Sequence, residues 1–211
     1  MRAELRRTSL QIIPARPGWE ALRCLQLAGY AAAYRPRSLR YIYGNSLRRA
    51  LRRGDSIAAT GDYFSSRIPL HRVCAWRQAV GSRALLRLAD FQRDLAKQAA
   101  RRLPELTRIP GVTVLTDPPG GSGTWPIFIA ELPNENIRDQ VLDELWGAGL
   151  GVSRMFAYAL PDYEYLHPWC GEQSVPNAKW FAACSMTISN SPWLDDESFE
   201  RIRATLTRHC R

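Results

Sequence analysis

The feature that most constrains the fold is a long stretch in which apolar side chains recur mostly every three or four residues, with arginines between them. This spacing lines up the apolar groups along one face of an α-helix. It predicts one amphipathic helix over about 71–103, ended before Pro104 because proline cannot continue the helical hydrogen bonding. The apolar stripe consists of Val73, Trp76, Val80, Leu88, Phe91, Leu95 and Leu103.

After this helix, short apolar runs alternate with helical patterns. Strands are predicted at 112–115, 125–132, 151–156 and 185–189, and helices at 134–149, around 176–183 and from near Asp195 onward. Upstream, 19–53 is predicted to be helical with a break at Pro36, and 54–70 to be a loop. The order predicts an α+β fold, a small sheet covered by helices and preceded by the long helix and a helical connector.

Composition limits the class of protein. The chain has 211 residues, of which 45% are hydrophobic, enough for one good-sized core or two small ones. No run approaches the ~20 apolar residues of a membrane span, and no signal-peptide core follows the basic start, so a cytoplasmic protein is expected. Five cysteines and three histidines are dispersed without a Cys-x-x-Cys pair. Reduced thiols are therefore expected, rather than a disulfide framework or a metal site.

Positive charge is concentrated in the first half of the chain. Residues 1–105 hold 21 of the 29 Lys and Arg and only 7 of the 20 Asp and Glu. The clusters Arg48–Arg49 and Arg52–Arg53 could bind phosphates or an anionic membrane surface. A solvated helical face, or a face docked on an acidic domain, is the favoured interpretation, and nucleic acid or a membrane surface is not the expected partner.

Two familiar catalytic patterns are absent from the sequence. The glycine-rich stretch 120–123 is followed by a predicted strand rather than a helix, and no Lys-Ser/Thr follows it, so it is not a phosphate-binding loop. None of the serines lies in Gly-x-Ser-x-Gly. Local motifs alone therefore point to no active site.

A set of weaker motifs, in a fixed order, carries a resemblance to a known family. The last part of the long helix leads into Leu106-Thr-Arg-Ile-Pro-Gly-Val, and four further segments follow at 125–132, 138–152, 176–188 and 191–202. Together they resemble the carboxy-terminal domain of the DegT/StrS-type aminotransferases, fold-type I enzymes that use pyridoxal phosphate to aminate keto-sugars on nucleotide carriers. The resemblance covers 71–208 and is looser over 19–70.

The resemblance implies how the chemistry is divided. Residues 1–70 would be a basic helical connector or remnant of the large domain, and 71–211 the aminotransferase small domain. In the family the large domain supplies the lysine that forms an imine with the cofactor. Both lysines here, Lys97 and Lys179, fall in predicted small-domain helices, so neither matches that role.

The resemblance also implies where substrate contacts would lie. The family's asparagine before the long helix is missing from 61–67, and a proline stands about where many members have a histidine. Arg154, Tyr158 and Tyr163 remain as candidate contacts for a nucleotide sugar, with ordinary loop and core packing as their alternative role. No catalytic, cofactor-binding or metal-binding residue is assigned.

The expected function is therefore that of the carboxy-terminal part of a sugar aminotransferase from polysaccharide biosynthesis, inactive alone and binding no cofactor by itself. Its expected partner is the missing large domain or a full-length paralogue, in a homo- or hetero-dimer. Two alternatives stay open. One is a non-catalytic partner or regulator of such a paralogue, and the other is an arginine-rich module that binds anions or a membrane surface.

Overall fold

The computed structural model describes residues 14–61 and 71–210. Its helices are α1 (Pro17–Ala33), α2 (Pro36–Arg52), α3 (Ser56–Thr60), α4 (Ala75–Leu85), α5 (Leu88–Thr107), α6 (Glu135–Leu145), α7 (His167–Cys170), α8 (Pro176–Cys184) and α9 (Asp196–His209). Its strands are β1 (Thr113–Val114), β2 (Ile127–Glu131), β3 (Val152–Arg154) and β4 (Ser185–Ser189). Short 3₁₀ turns lie at Trp146–Ala148, Leu160–Asp162 and Glu164–Leu166.

The chain divides into two compact units. The helical unit comprises the described residues 14–34 and 71–91, and the sheet unit comprises 35–61 and 92–210. The predicted division into 1–70 and 71–211 stays a prediction.

The four strands form one antiparallel sheet in the order β1-β2-β4-β3. In its centre, Phe128 and Ala130 of β2 pair with Ile188 and Met186 of β4, and all four side chains are fully buried. Alternate residues of a strand face opposite sides, so these positions form one apolar face. The sheet and its helices confirm the predicted α+β fold.

Helices α5, α6 and α9 contribute their apolar faces to the same core. The starts of α6 and α9 are fixed by capping side chains. Asn134 accepts a hydrogen bond from the Ile137 N–H at 2.9 Å, and Asp195 accepts one from the Ser198 N–H at 2.8 Å. The fully buried side chains of these three helices include Leu106, Val141, Leu145, Ile202 and Leu206.

Helix α2 packs closely on the 3₁₀ turn Trp146–Ala148. A Cβ at Gly44 would lie 2.9 Å from the Gly147 carbonyl oxygen, so the backbones approach because Gly44 has no side chain. The Arg48 guanidinium donates to that same oxygen at 2.7 Å, and Leu47 is buried in the core. The predicted break at Pro36 is confirmed, since α1 ends at Ala33 and α2 begins at Pro36.

Two details of the predicted helices are wrong. The single helix over 71–103 is two helices, separated at Leu86 and Arg87, where the Arg87 N–H bonds to the carbonyl three residues back instead of four. Helix α5 also runs past Pro104 to Thr107, because Leu106 is completely buried and its packing outweighs the lost hydrogen bond.

The predicted loop 54–70 contains the short helix α3, which is a further correction. The Asp55 carboxylate caps it by accepting from the Ala58 N–H at 2.9 Å, and Gly61 ends it in a left-handed conformation. The rest of that predicted loop, together with all but the first residue of 61–67, lies outside the described residues.

The helical unit contains α1, α4 and the first turn of α5. Among its described residues the buried one is a carboxylate, Glu20, which is 4% exposed. These described residues contact one another through polar groups around Glu20 and through partly exposed apolar side chains. Across the described ranges, no helix is both long enough and apolar enough to cross a membrane.

Candidate functional site

The segment between β3 and α8 forms a polar cleft in the sheet unit. It contains two 3₁₀ turns and α7 in place of a regular connection, and it lies against the start of α8. The cleft is open and has a volume of about 610 Å³. It is lined by Pro161, Asp162, His167, Glu172, Gln173, Ser174 and Lys179.

Charges of both signs line this cleft. The Lys179 ammonium lies 2.7 Å from the Asp162 carboxylate, with the lysine side chain half exposed. His167, Gln173 and Ser174 add further hydrogen-bonding groups. A surface with donors and acceptors on one open rim suits a ligand rich in hydroxyl groups, since a hydroxyl both donates and accepts.

Two of the three residues expected to contact substrate lie together on this segment, outside the cleft lining. Tyr163 is buried, and its hydroxyl accepts from the Tyr158 N–H at 3.4 Å. The two rings meet edge to face at 5.6 Å, and Tyr165 contacts Tyr163 in the same way at 5.5 Å. The pair shapes the segment from within, and its role as a substrate contact stays a prediction.

The third expected residue, Arg154, lies in a separate ion cluster at the end of β3. Its guanidinium donates to the Asp139 carboxylate at 2.8 Å, and Arg138 donates to the same oxygen at 2.7 Å. Arg138 is fully buried and also donates to the Ala182 carbonyl at 3.0 Å. Burial, followed by the nearby Arg154 charge, lowers the pKa of Arg138.

Arg154 is therefore mainly a structural residue, because its guanidinium is paired with Asp139 in this cluster. One nitrogen, Nε of Arg154, is buried and has no hydrogen-bond partner among the described residues. The side chain as a whole is 16% exposed. The structure therefore brings Tyr158 and Tyr163 together and places Arg154 with Arg138 and Asp139 instead.

Pyridoxal phosphate does not fit the cleft. Its phosphate would meet the carboxylates of Asp162 and Glu172, which carry the same sign of charge. Lys179 holds the Asp162 carboxylate, so its amine is not placed as a free nucleophile. The other lysine, Lys97, is on α5 with a largely exposed side chain 3.9 Å from Asp94. No step through the cofactor is therefore derived for this chain.

The arginine clusters of α2 separate into two kinds of residue. Arg48 is partly buried and bonded to Gly147, whereas Arg49, Arg52 and Arg53 are exposed. Within the described residues, no group of three or more His, Cys, Asp or Glu side chains is arranged to hold a metal ion.

Sequence reasoning missed the residues that line the cleft. Asp162, His167 and Lys179 lie in different elements, so no spacing rule connects them. The sequence feature that could have indicated them is the run of aromatic and polar residues at 158–169. Its spacing fits neither a helix nor a strand, which is typical of an exposed loop that carries functional residues.

Comparison with known proteins shows which solved structures have a similar fold. No protein-family model matches the sequence, and no curated protein matches it. The structure of 3-amino-5-hydroxybenzoic acid (AHBA) synthase matches 59% of this chain with a TM-score of 0.50 and 16% identity. The aminotransferase TlmJ from Streptoalloteichus hindustanus matches 76% with a TM-score of 0.54 and 19% identity.

This chain spans 35% of the length of the first protein and 45% of the second. At such identities the likeness establishes the fold alone. The chain therefore has an aminotransferase-like α+β fold that corresponds to less than half of either protein.

Proposed function

We propose that this chain is the carboxy-terminal, substrate-side part of a DegT/StrS-type sugar aminotransferase. It would work with a large domain or a full-length paralogue that supplies the lysine and pyridoxal phosphate. The single observation that carries the proposal is the sheet unit, whose four-stranded sheet is preceded by α5 and covered by α6 and α9. An aminotransferase of known structure has a similar fold.

The cleft suggests what this part contributes. A sugar ring presents several hydroxyl groups, and Asp162 and Glu172 can accept from them while Lys179 donates. The carboxylates disfavour a diphosphate within the cleft itself, so the nucleotide diphosphate would lie outside it. In this proposal the cleft binds the sugar, and the partner polypeptide binds the cofactor and supplies the reactive amine when the cofactor is bound.

The proposal predicts no transaminase activity for the chain alone. The purified chain would be incubated with pyridoxal phosphate, treated with borohydride to fix any imine, and mapped by mass spectrometry. Lys97→Ala and Lys179→Ala variants identify the site of any adduct. Little or no labelling supports the proposal, and a stoichiometric adduct on one of these lysines contradicts it.

A second experiment separates a split enzyme from a non-catalytic partner. The chain would be mixed with a polypeptide that carries the lysine domain, and amino transfer to a keto-sugar nucleotide would be followed. Activity that appears only in the mixture supports the split enzyme. Binding that only stabilises an already active paralogue supports the alternative of a regulator, and the absence of binding contradicts both.

The exposed Arg49, Arg52 and Arg53 favour one function of another class, binding of an anionic surface. Such binding is electrostatic and weakens as salt screens the charges. Vesicles with anionic and with neutral lipids, each at low and high salt, test this function. Equal binding to both lipids, or none at low salt, removes it.

A further inference from the structure

Two cysteines from distant parts of the sequence lie in contact within the helical unit. Cys24 is on α1, and Cys74 is the residue that precedes the first turn of α4. Their sulfur atoms are 3.8 Å apart, although the residues are 50 positions apart in the chain. Both side chains are partly buried. A disulfide bond has a sulfur–sulfur length of about 2.05 Å, so the two sulfurs must approach each other by about 1.8 Å for the bond to form.

A buried polar network holds the two residues in this position. The Glu20 carboxylate, one helical turn before Cys24, accepts from the Cys74 N–H at 2.8 Å and from Arg77 at 2.7 Å. His71 lies 3.7 Å from the same carboxylate. These contacts fix the start of α4 against α1. Among the described residues, the bonds around Glu20 therefore bring the two sulfurs together.

We propose that Cys24 and Cys74 are a redox-modification site, at which a reversible disulfide joins α1 to α4. This site is independent of the proposed aminotransferase role, since both residues belong to the helical unit. In reducing conditions the two thiols persist, and a shift to oxidising conditions closes the bond. Disulfides of this reversible kind are the ones expected where thiols are normally reduced.

The reaction uses a small disulfide, such as oxidised glutathione, as the oxidant. One cysteine thiolate attacks a glutathione sulfur, which forms a mixed disulfide and releases one glutathione thiolate. The second cysteine thiolate then attacks the mixed disulfide at the protein sulfur and releases the second glutathione. The two protein thiols lose two protons and two electrons, and the oxidant gains both.

The other cysteines lack this arrangement. Cys184 and Cys210 are buried, and Cys170 is partly buried at the end of α7. Burial, followed by the contact with Cys74, raises the pKa of the Cys24 thiol. A raised pKa lowers the thiolate fraction of Cys24, so the disulfide is expected to form slowly at neutral pH and faster as the pH rises.

Closing the bond would constrain the helical unit. It links two segments separated by 50 positions and thereby restricts the unfolded chain. Among the described residues of the helical unit the buried side chain is that of Glu20, so the bond is expected to affect the opening of this unit strongly. Oxidation is expected to slow amide exchange in α1 and α4 at least several-fold, while exchange in the sheet unit stays unchanged.

The test uses the full wild-type chain in glutathione buffers of increasing oxidised fraction, with free thiols then blocked and peptides mapped by mass spectrometry. The expected result is a Cys24–Cys74 linked peptide, formed before any other disulfide and removed by dithiothreitol. Cys170 is the matched control, since it is also partly buried but has no cysteine partner in contact. It is expected to carry only glutathione.

Two variants complete the experiment. Cys24→Ser and Cys74→Ser should each abolish the linked peptide and leave the remaining cysteine carrying glutathione. Amide exchange of α1 and α4 in reducing buffer reports whether each variant keeps the helical unit folded. The proposal is overturned if both cysteines of the wild type collect glutathione separately, stay as free thiols in the most oxidising buffer, or link to other cysteines or other molecules.

Discussion

The Asn190 amide donates to the Leu95 carbonyl at 3.0 Å, and this bond ties the end of β4 to the middle of α5. The same amide donates to the Trp125 carbonyl at 2.9 Å, and the Asn190 side-chain oxygen accepts from Gln98 at 3.0 Å. Asn190 is completely buried. The Asn190 side chain thus joins α5 to the segments next to the start of β2 and the end of β4.

Replacing Asn190 with alanine should destabilise the sheet unit by about 2–4 kcal/mol, because buried carbonyl groups lose their donors. Chemical denaturation measures the free energy of unfolding. Asn177→Ala, at an exposed position of α8, is the matched control and should change stability by less than about 0.5 kcal/mol. Equal effects of the two substitutions would contradict this role of Asn190.

Arg138 should be essential for the packing of α6 against α8. Arg138→Ala removes its bonds to Asp139 and to the Ala182 carbonyl, and should destabilise the chain by about 2–3 kcal/mol. Arg203→Ala is the control, since Arg203 is partly exposed and its strongest pairing is with Glu200 on its own helix. Its cost should be below about 1 kcal/mol. Thermal unfolding compares the two variants.

Substitutions at Gly149 and Gly54 test whether the close approach of α2 to the turn at Gly149 requires a residue without a side chain. Both have a positive φ, 79° and 70°, which disfavours any other residue. A Cβ at Gly149 would also collide with the Pro36 carbonyl oxygen and lie 2.7 Å from the Arg40 nitrogen, whereas a Cβ at Gly54 would meet nothing within 4 Å.

Gly54→Ala is therefore expected to cost about 1 kcal/mol for the strained φ alone. Gly149→Ala is expected to cost at least about 2 kcal/mol, since α2 must also move away from the turn. Urea denaturation measures both. The explanation fails if Gly149→Ala is no more costly than Gly54→Ala.

The helical unit should open in acid. The Cys74 N–H, with Arg77 in support, holds the pKa of Glu20 below its ordinary value of 4.5. A lowered carboxyl pKa gives stability that is complete above the ordinary value and is lost as pH falls through the lowered one. Hydrogen exchange in α1 and α4 should therefore rise, relative to the sheet unit, as pH falls below 4.5.

Glu20→Gln provides the control for this pH effect. The amide cannot titrate, so exchange in the helical unit should be faster at neutral pH and should lose the part of the acid response that depends on Glu20. Comparison at each pH removes the intrinsic pH dependence of amide exchange. An identical acid response in wild type and variant would show that another group controls the opening.

Substitution of Lys179 should weaken sugar binding, whereas substitution of Lys97 should not. Lys179→Ala removes the donor beside Asp162 and should weaken binding of a UDP-linked hexose about tenfold or more, the effect of one charged hydrogen bond. Lys97→Ala changes an exposed lysine of α5 and should leave binding unchanged. Calorimetry with the hexose nucleotide and with UDP alone tests the role of the sugar. The same loss with UDP alone would contradict a sugar-binding cleft.

Sequence periodicity alone determined the order of the elements in the sheet unit. The strand predicted at 185–189 is observed there, and the helices predicted from 134 and from near Asp195 begin at Glu135 and Asp196. Such features depend on neighbours a few residues away, so the sequence contains them directly. The break at Pro36 has the same origin, because the proline ring restricts its own backbone and that of the residue before it.

Only the tertiary structure decided how distant residues combine. Pro104 stays inside α5 because Leu106 is buried in the core of the sheet unit, and Arg154 pairs with Asp139 where β3 meets α6. The contact of Cys24 with Cys74 likewise spans 50 positions. Periodicity reports which face of an element is apolar but not which element covers it. The free energy that selects these pairings comes from packing and from bonds made across the fold.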